Sequence, residues 1–184
     1  MSSCCCRTMF CALIKEGTLL RKCDLINQIN NIFKDIPYPG DENIVDDPSH
    51  CPECKEVSKA FNKKHWKEVL LEFKFSLMSF LKPPAIIPDS FLLLTTKAFQ
   101  FYLLAFLIYC IDEIDNINQY DEIISDKIFR MIDIIIFKLN YFLNLQEYFN
   151  IQQRQVIKVF LEYILDKGYD NIDEVYKLIN KLNE

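Results

Sequence analysis

The chain has 184 residues, 51% of them hydrophobic and 26% charged, enough to bury a core in one domain and too apolar to stay disordered. Its formal charge of −5 argues against a nucleic-acid or anionic-membrane partner, because both require a basic footprint. With 3 Gly in all, a glycine-rich phosphate cradle cannot be built.

Residues 1–20 carry Cys4, Cys5, Cys6 and Cys11 without a clear hydrophobic period. They are expected to form a flexible, Cys-rich extension ahead of a helical domain spanning 21–184. Eight cysteines in a chain with its own core do not read as a secreted disulfide framework. The start also lacks the basic and apolar blocks of a signal peptide, so a reducing cytoplasm is expected.

From Asp24, apolar residues at Leu25, Ile26, Ile29, Ile32, Phe33 and Ile36 step by threes and fours. This predicts an amphipathic helix with Asp24 as its N-cap, stopped by Pro37-Tyr38-Pro39-Gly40. A polar, acidic loop follows over 41–48. Two helices are predicted next, over 52–61 and 64–80, and then a stiff connector holding Pro83, Pro84 and Pro88.

Thr95 is placed to cap a helix over 96–114 that is apolar almost all round and is therefore the expected spine of the domain. Phe101–Ile111, its uninterrupted apolar part, is about half of a bilayer span, so no membrane crossing is expected. A long helix over 121–143 uses Ile124, Ile128, Met131, Ile132, Ile135 and Leu139 as its stripe. Asn150 with Gln153 has the form of a capping box opening a helix to Lys167, which Gly168 closes. A short helix over 170–182 completes the chain. The expected fold is all-α: a single-domain bundle of about six or seven helices around one buried apolar helix.

Chemistry is sparse. Cys51-Pro52-Glu53-Cys54, preceded by His50, has the spacing of half a zinc site, and His50, His65 or Cys23 would have to complete it. The same Cys-x-x-Cys at a helix start is also a redox spacing, with Cys51 attacking and Cys54 resolving. It resembles the alkylhydroperoxidase-like family in that motif alone, since Ser58 stands where that family places a His. A third reading takes both thiols as ordinary half-buried residues. No cofactor is expected on the leading reading, with zinc as the alternative.

Charge patterning is more informative. No Lys or Arg occurs from Ala98 to Asp126, while Asp112, Glu113, Asp115, Asp121, Glu122 and Asp126 do. If these face the same side as Asp41 and Glu42, they form a negative surface that steers a basic partner.

The order of the motifs Pro37-Tyr38-Pro39-Gly40-Asp41, Cys51-Pro52-Glu53-Cys54, Trp66, Leu94-Thr95, Ala98-Phe99, Tyr102-Leu103 and Ala105-Phe106-Leu107 resembles an uncharacterised bacterial all-helical domain family. The resemblance spans roughly residues 24 to 165 and departs at Thr96 and Leu104, where prolines would be expected. It implies a helical fold and no established activity. Small acidic domains of that type are often toxin-neutralising immunity proteins, an analogy of class. The expected function is accordingly a non-enzymatic protein-binding module, an immunity protein for a basic toxin domain. Asp112, Glu113, Asp115, Asp121 and Glu122 are its candidate contacts, with Asp41 and Glu42 secondary. The alternative is a thiol- or zinc-dependent protein built on Cys51 and Cys54, with His50 and His65.

Overall fold

A computed structural model describes residues 21–78, 88–120 and 122–184. The expected extension over 1–20, the connector prolines 83 and 84, and Asp121 lie outside them. Among the described residues the chain forms seven α-helices: α1 (Lys22–Phe33), α2 (Pro52–Phe61), α3 (Trp66–Met78), α4 (Thr96–Ile114), α5 (Glu122–Tyr141), α6 (Ile151–Asp166) and α7 (Ile172–Leu182). Short 3₁₀ segments lie between them at Asp41–Asn43, Pro88–Leu93, Ile117–Gln119 and Leu145–Glu147. The fold is an all-α bundle.

The spine is α4. Every residue from Phe101 to Ile111 is buried, as are Ala98, Phe99 and Ile114, so this helix has no water-facing side along its middle three turns. It packs against α1, α3, α5 and α6, while α7 closes over α5 and α6. Aromatic rings fill much of the seam between α3 and α4, where Phe73 stacks on Phe91 at 5.4 Å and meets Phe106 edge-on at 6.1 Å.

Local signals set most helix boundaries. Thr95 Oγ1 accepts the Ala98 N–H at 3.1 Å and so caps α4. Asn150 and Gln153 form the reciprocal capping box of α6, at 2.9 and 3.0 Å. Gly168, at φ +89°, ends that helix by entering a region that side chains disfavour. The first helix differs from expectation. It begins at Lys22, its N-cap Arg21 makes no side-chain capping bond, and Asp24 pairs with Arg21 at 2.9 Å inside the first turn. Here a first-turn carboxylate complements the helix dipole without capping it.

The acidic loop over 41–48 is anchored rather than free. Ile44 and Val45 are buried, Val45 bridges Leu94, and the Thr95 N–H donates to the Ile44 carbonyl at 3.0 Å. At the far end of the chain, Lys181 Nζ on α7 donates to the carbonyls of Asn140 and Phe142, satisfying acceptors that the end of α5 would otherwise orphan.

Candidate functional site

Three places stand out, by residue type or by the way the helices pack: the acidic end of α4, the Cys51 turn, and an apolar corner at the end of α5.

At its C-terminus α4 carries Asp112, Glu113 and Asp115, where the helix dipole already concentrates negative charge. The fold answers with lysines from three directions. Asp112 is 2.5 Å from Lys74 Nζ on α3 and 3.2 Å from Lys22 Nζ on α1. Asp115 is 2.8 Å from Lys167 Nζ, just past α6, and 3.7 Å from Lys22 Nζ. Tyr163 OH donates to both Asp115 oxygens at 3.0 Å. Burial alone would raise the Asp115 carboxyl; the Lys167 and Tyr163 hydrogen bonds and the nearby lysine charges outweigh it and hold it below the ordinary carboxylate range. Glu113 accepts from Tyr120 OH at 2.6 Å, which with burial lifts that phenol to about 12.

These acids therefore tie α1, α3 and α6 to the spine, and they are not a free acidic face. Glu122 is exposed in the first turn of α5. Asp41 accepts from Tyr38 OH at 2.7 Å and from the Lys63 N–H at 3.1 Å, and Glu42 accepts from Asn43 Nδ2 at 2.9 Å. The loop holding Asp41 and Glu42 is pinned beside Thr95, at the opposite end of α4 from Asp112. At 1.5 Å per residue those ends are about 26 Å apart, so the two acidic segments do not merge into one patch.

The structure places Cys51 at the N-cap of α2, with Pro52 opening the helix behind it. Cys51 Sγ accepts the Cys54 N–H at 3.1 Å, and the two sulfurs are 2.6 Å apart. Cys51 is half-buried and Cys54 is 8% exposed. The hydrogen bond with Cys51, and then burial, push the Cys54 thiol up from its ordinary value. His50 is exposed in the preceding loop. His65 belongs to the start of α3, where its N–H donates to Glu68 Oε2 at 2.7 Å and its ring packs on Trp66 and Phe101. Among the described residues, no three His, Cys, Asp or Glu side chains gather where they could hold one metal ion.

The third place was not foreseen from the sequence. Phe137 and Tyr141 on α5, Leu143 just beyond it and Ile151 at the start of α6 are 60%, 75%, 99% and 74% exposed, and all four fall within fifteen residues. Tyr148, in the same stretch, packs against Phe142 with the ring centroids 4.8 Å apart and tilted by 38°, and is itself partly exposed. The signal was present: Phe137 and Tyr141 are one helical turn apart and fall off the stripe that α5 turns inward. Elsewhere, an open depression of about 490 Å³ is lined by Asp89, Asp126, Lys127, Phe129, Arg130 and Asp133, and an Arg130–Asp89 ion pair spans it.

No family model, no curated protein and no solved structure matches this chain. Among the described residues, no helix is long and apolar enough to cross a membrane.

Proposed function

We propose that this chain is a non-enzymatic binding module for another protein, and that its contact surface is the apolar corner of Phe137, Tyr141, Leu143 and Ile151. The carrying observation is that four large apolar side chains, two of them aromatic, stay more than half exposed within fifteen residues of sequence where α5 gives way to α6. Scattered surface hydrophobics are ordinary, but a group rich in aromatic residues matches the make-up of interface centres. Asn144 and Glu147 supply a polar rim beside it, bonded to one another at 3.1 Å.

In its finer form the proposal keeps an immunity role: the module occupies a basic toxin domain. That form draws on the motif resemblance and on the formal charge of −5, which favours fast association with a basic partner. Exposed acids such as Glu122 then contribute to encounter, while the apolar corner supplies the hold.

The test is a photo-crosslinking residue at position 143 in the native host, followed by binding measurements on the purified pair. Leu143→Asp with Tyr141→Ser should weaken the purified pair by at least roughly tenfold, whereas Glu122→Lys should mainly slow association. A partner whose affinity ignores the first change, or a corner that only mediates contact between copies of this chain, overturns the reading. For the immunity form, the partner expressed alone must arrest growth and this chain must restore it.

A further inference from the structure

The thiol pair at the start of α2 plays no part in the proposed interface and stands independently of it. We propose that Cys51 and Cys54 form a reversible intramolecular disulfide by exchange with a low-molecular-weight disulfide of the glutathione type. Three features place them for this. The sulfurs sit 2.6 Å apart, so a bond of about 2.0 Å needs a closure of well under an ångström. Cys51 is the more accessible of the two and stands at the N-cap of a ten-residue helix, where its sulfur accepts the Cys54 N–H at 3.1 Å. Cys54 is buried directly behind it, shielded from the exchanging disulfide yet in contact with the sulfur that receives it.

The steps balance as ordinary exchange. Cys51 thiolate attacks one sulfur of the small disulfide; that S–S bond breaks and the first small thiol leaves as thiolate, taking a proton from water. Cys54, having given its proton to solvent, attacks Cys51 Sγ. The mixed disulfide breaks, the Cys51–Cys54 bond forms, and the second small thiol leaves. Two protein thiols are oxidised by two electrons and one small disulfide is reduced to two thiols. A separate function for His50 or His65 is not required by this chemistry. Both histidines lie outside the sulfur pair, and the position of Ser58 in mid-helix does not enter the exchange.

The experiment uses the full wild-type chain in buffers with graded ratios of glutathione disulfide to glutathione. Thiols are alkylated after an acid quench, and the tryptic peptide of residues 35–55 is weighed. Cleavage after Lys34 and Lys55 leaves Cys51 and Cys54 as its cysteines, so Cys23, Cys110 and the N-terminal cysteines do not interfere. The peptide should pass from doubly alkylated to a form lacking two hydrogens and any adduct. At a given buffer ratio the disulfide should be favoured at least about tenfold over the same chain unfolded in urea. Cys54→Ser should trap a single glutathione on Cys51, and Cys51→Ser should react at Cys54 at least about tenfold more slowly. A peptide that stays doubly alkylated or gains two glutathiones overturns the proposal. So does equal closure in folded and unfolded chains, or one-to-one zinc binding that protects both thiols. The wild-type measurement stands even where a variant fails to fold.

Discussion

Lys22 meets Asp112 twice, with its ammonium 3.2 Å from the carboxylate and 3.0 Å from the Asp112 carbonyl, across ninety residues of sequence. The same ammonium reaches Asp115 at 3.7 Å. One lysine near the start of α1 thus neutralises the end of the spine, and Lys74 and Lys167 complete the arrangement. Removing Asp112 takes the paired carboxylate from Lys74 and leaves Lys22 with only the more distant Asp115 carboxylate. Asp112→Asn should lower stability by about 1–2 kcal/mol, read from urea midpoints, with the loss shrinking in high salt. A change below a few tenths would mean that the lysines relax freely into water.

Asp115 makes this arrangement sensitive to acid. Its carboxyl is held below the ordinary range, so its contribution is fully present above the unfolded value of about 3.9 and is lost as pH falls through the lower folded value. Wild type should lose stability between about pH 5 and pH 2 more steeply than Asp115→Asn. Parallel curves for the two proteins would contradict the assignment.

Tyr102 is a second long-range tie. Its hydroxyl donates to the carbonyls of Phe61 and Lys64, both at 2.9 Å, and so fixes the α2–α3 turn to the spine. Tyr102→Phe keeps the ring and removes the one proton the two carbonyls share, while the Phe61 carbonyl still accepts the Lys64 N–H at 3.2 Å. The expected cost is about 1–2 kcal/mol in a denaturant titration, against about 3–5 for Tyr102→Ala, which also opens a cavity.

Two backbone positions should respond with opposite sign. Gly168 sits at φ +89°, and no atom lies within 4 Å of the place a β-carbon would take. Conformation is then the only objection to alanine, so Gly168→Ala should cost about 1 kcal/mol. Lys63 is a non-glycine at φ +58°, held there while its N–H donates to Tyr38 OH and Asp41 Oδ1. Lys63→Gly keeps both bonds and relieves the strain, so it should gain up to about 1 kcal/mol. Thermal melts of the two variants should move in opposite directions.

At the apolar corner, Leu143 is 99% exposed, so Leu143→Asp should change stability by no more than about 0.5 kcal/mol. A silent melt combined with lost binding is the pattern that separates a contact residue from a packing residue. A melt lowered by several degrees would place Leu143 in the fold's own support.

What could be read from the sequence was local. Thr95 as a cap, the Asn150–Gln153 box and the all-round apolar α4 each depend on residues a few positions apart, and each is found as expected. The acidic segments could not be judged that way, because what decides them is the arrival of Lys22, Lys74 and Lys167 from elsewhere in the chain. Likewise Ile44 and Val45 turned an apparently free polar loop into an anchored one through a partner at Leu94. Phe137 and Tyr141 were visible as leftovers from the α5 stripe, but only the packed neighbours show that the leftover side meets water.

The spine also governs when the molecule can become native. A helix greasy on every side cannot wait in solvent half-covered, so α1 to α3 alone leave it sticky on the side that α5 and α6 later blanket. Nascent chains arrested before α6 should therefore aggregate or recruit chaperones, and splitting the protein between α4 and α5 should yield two halves that are soluble only together.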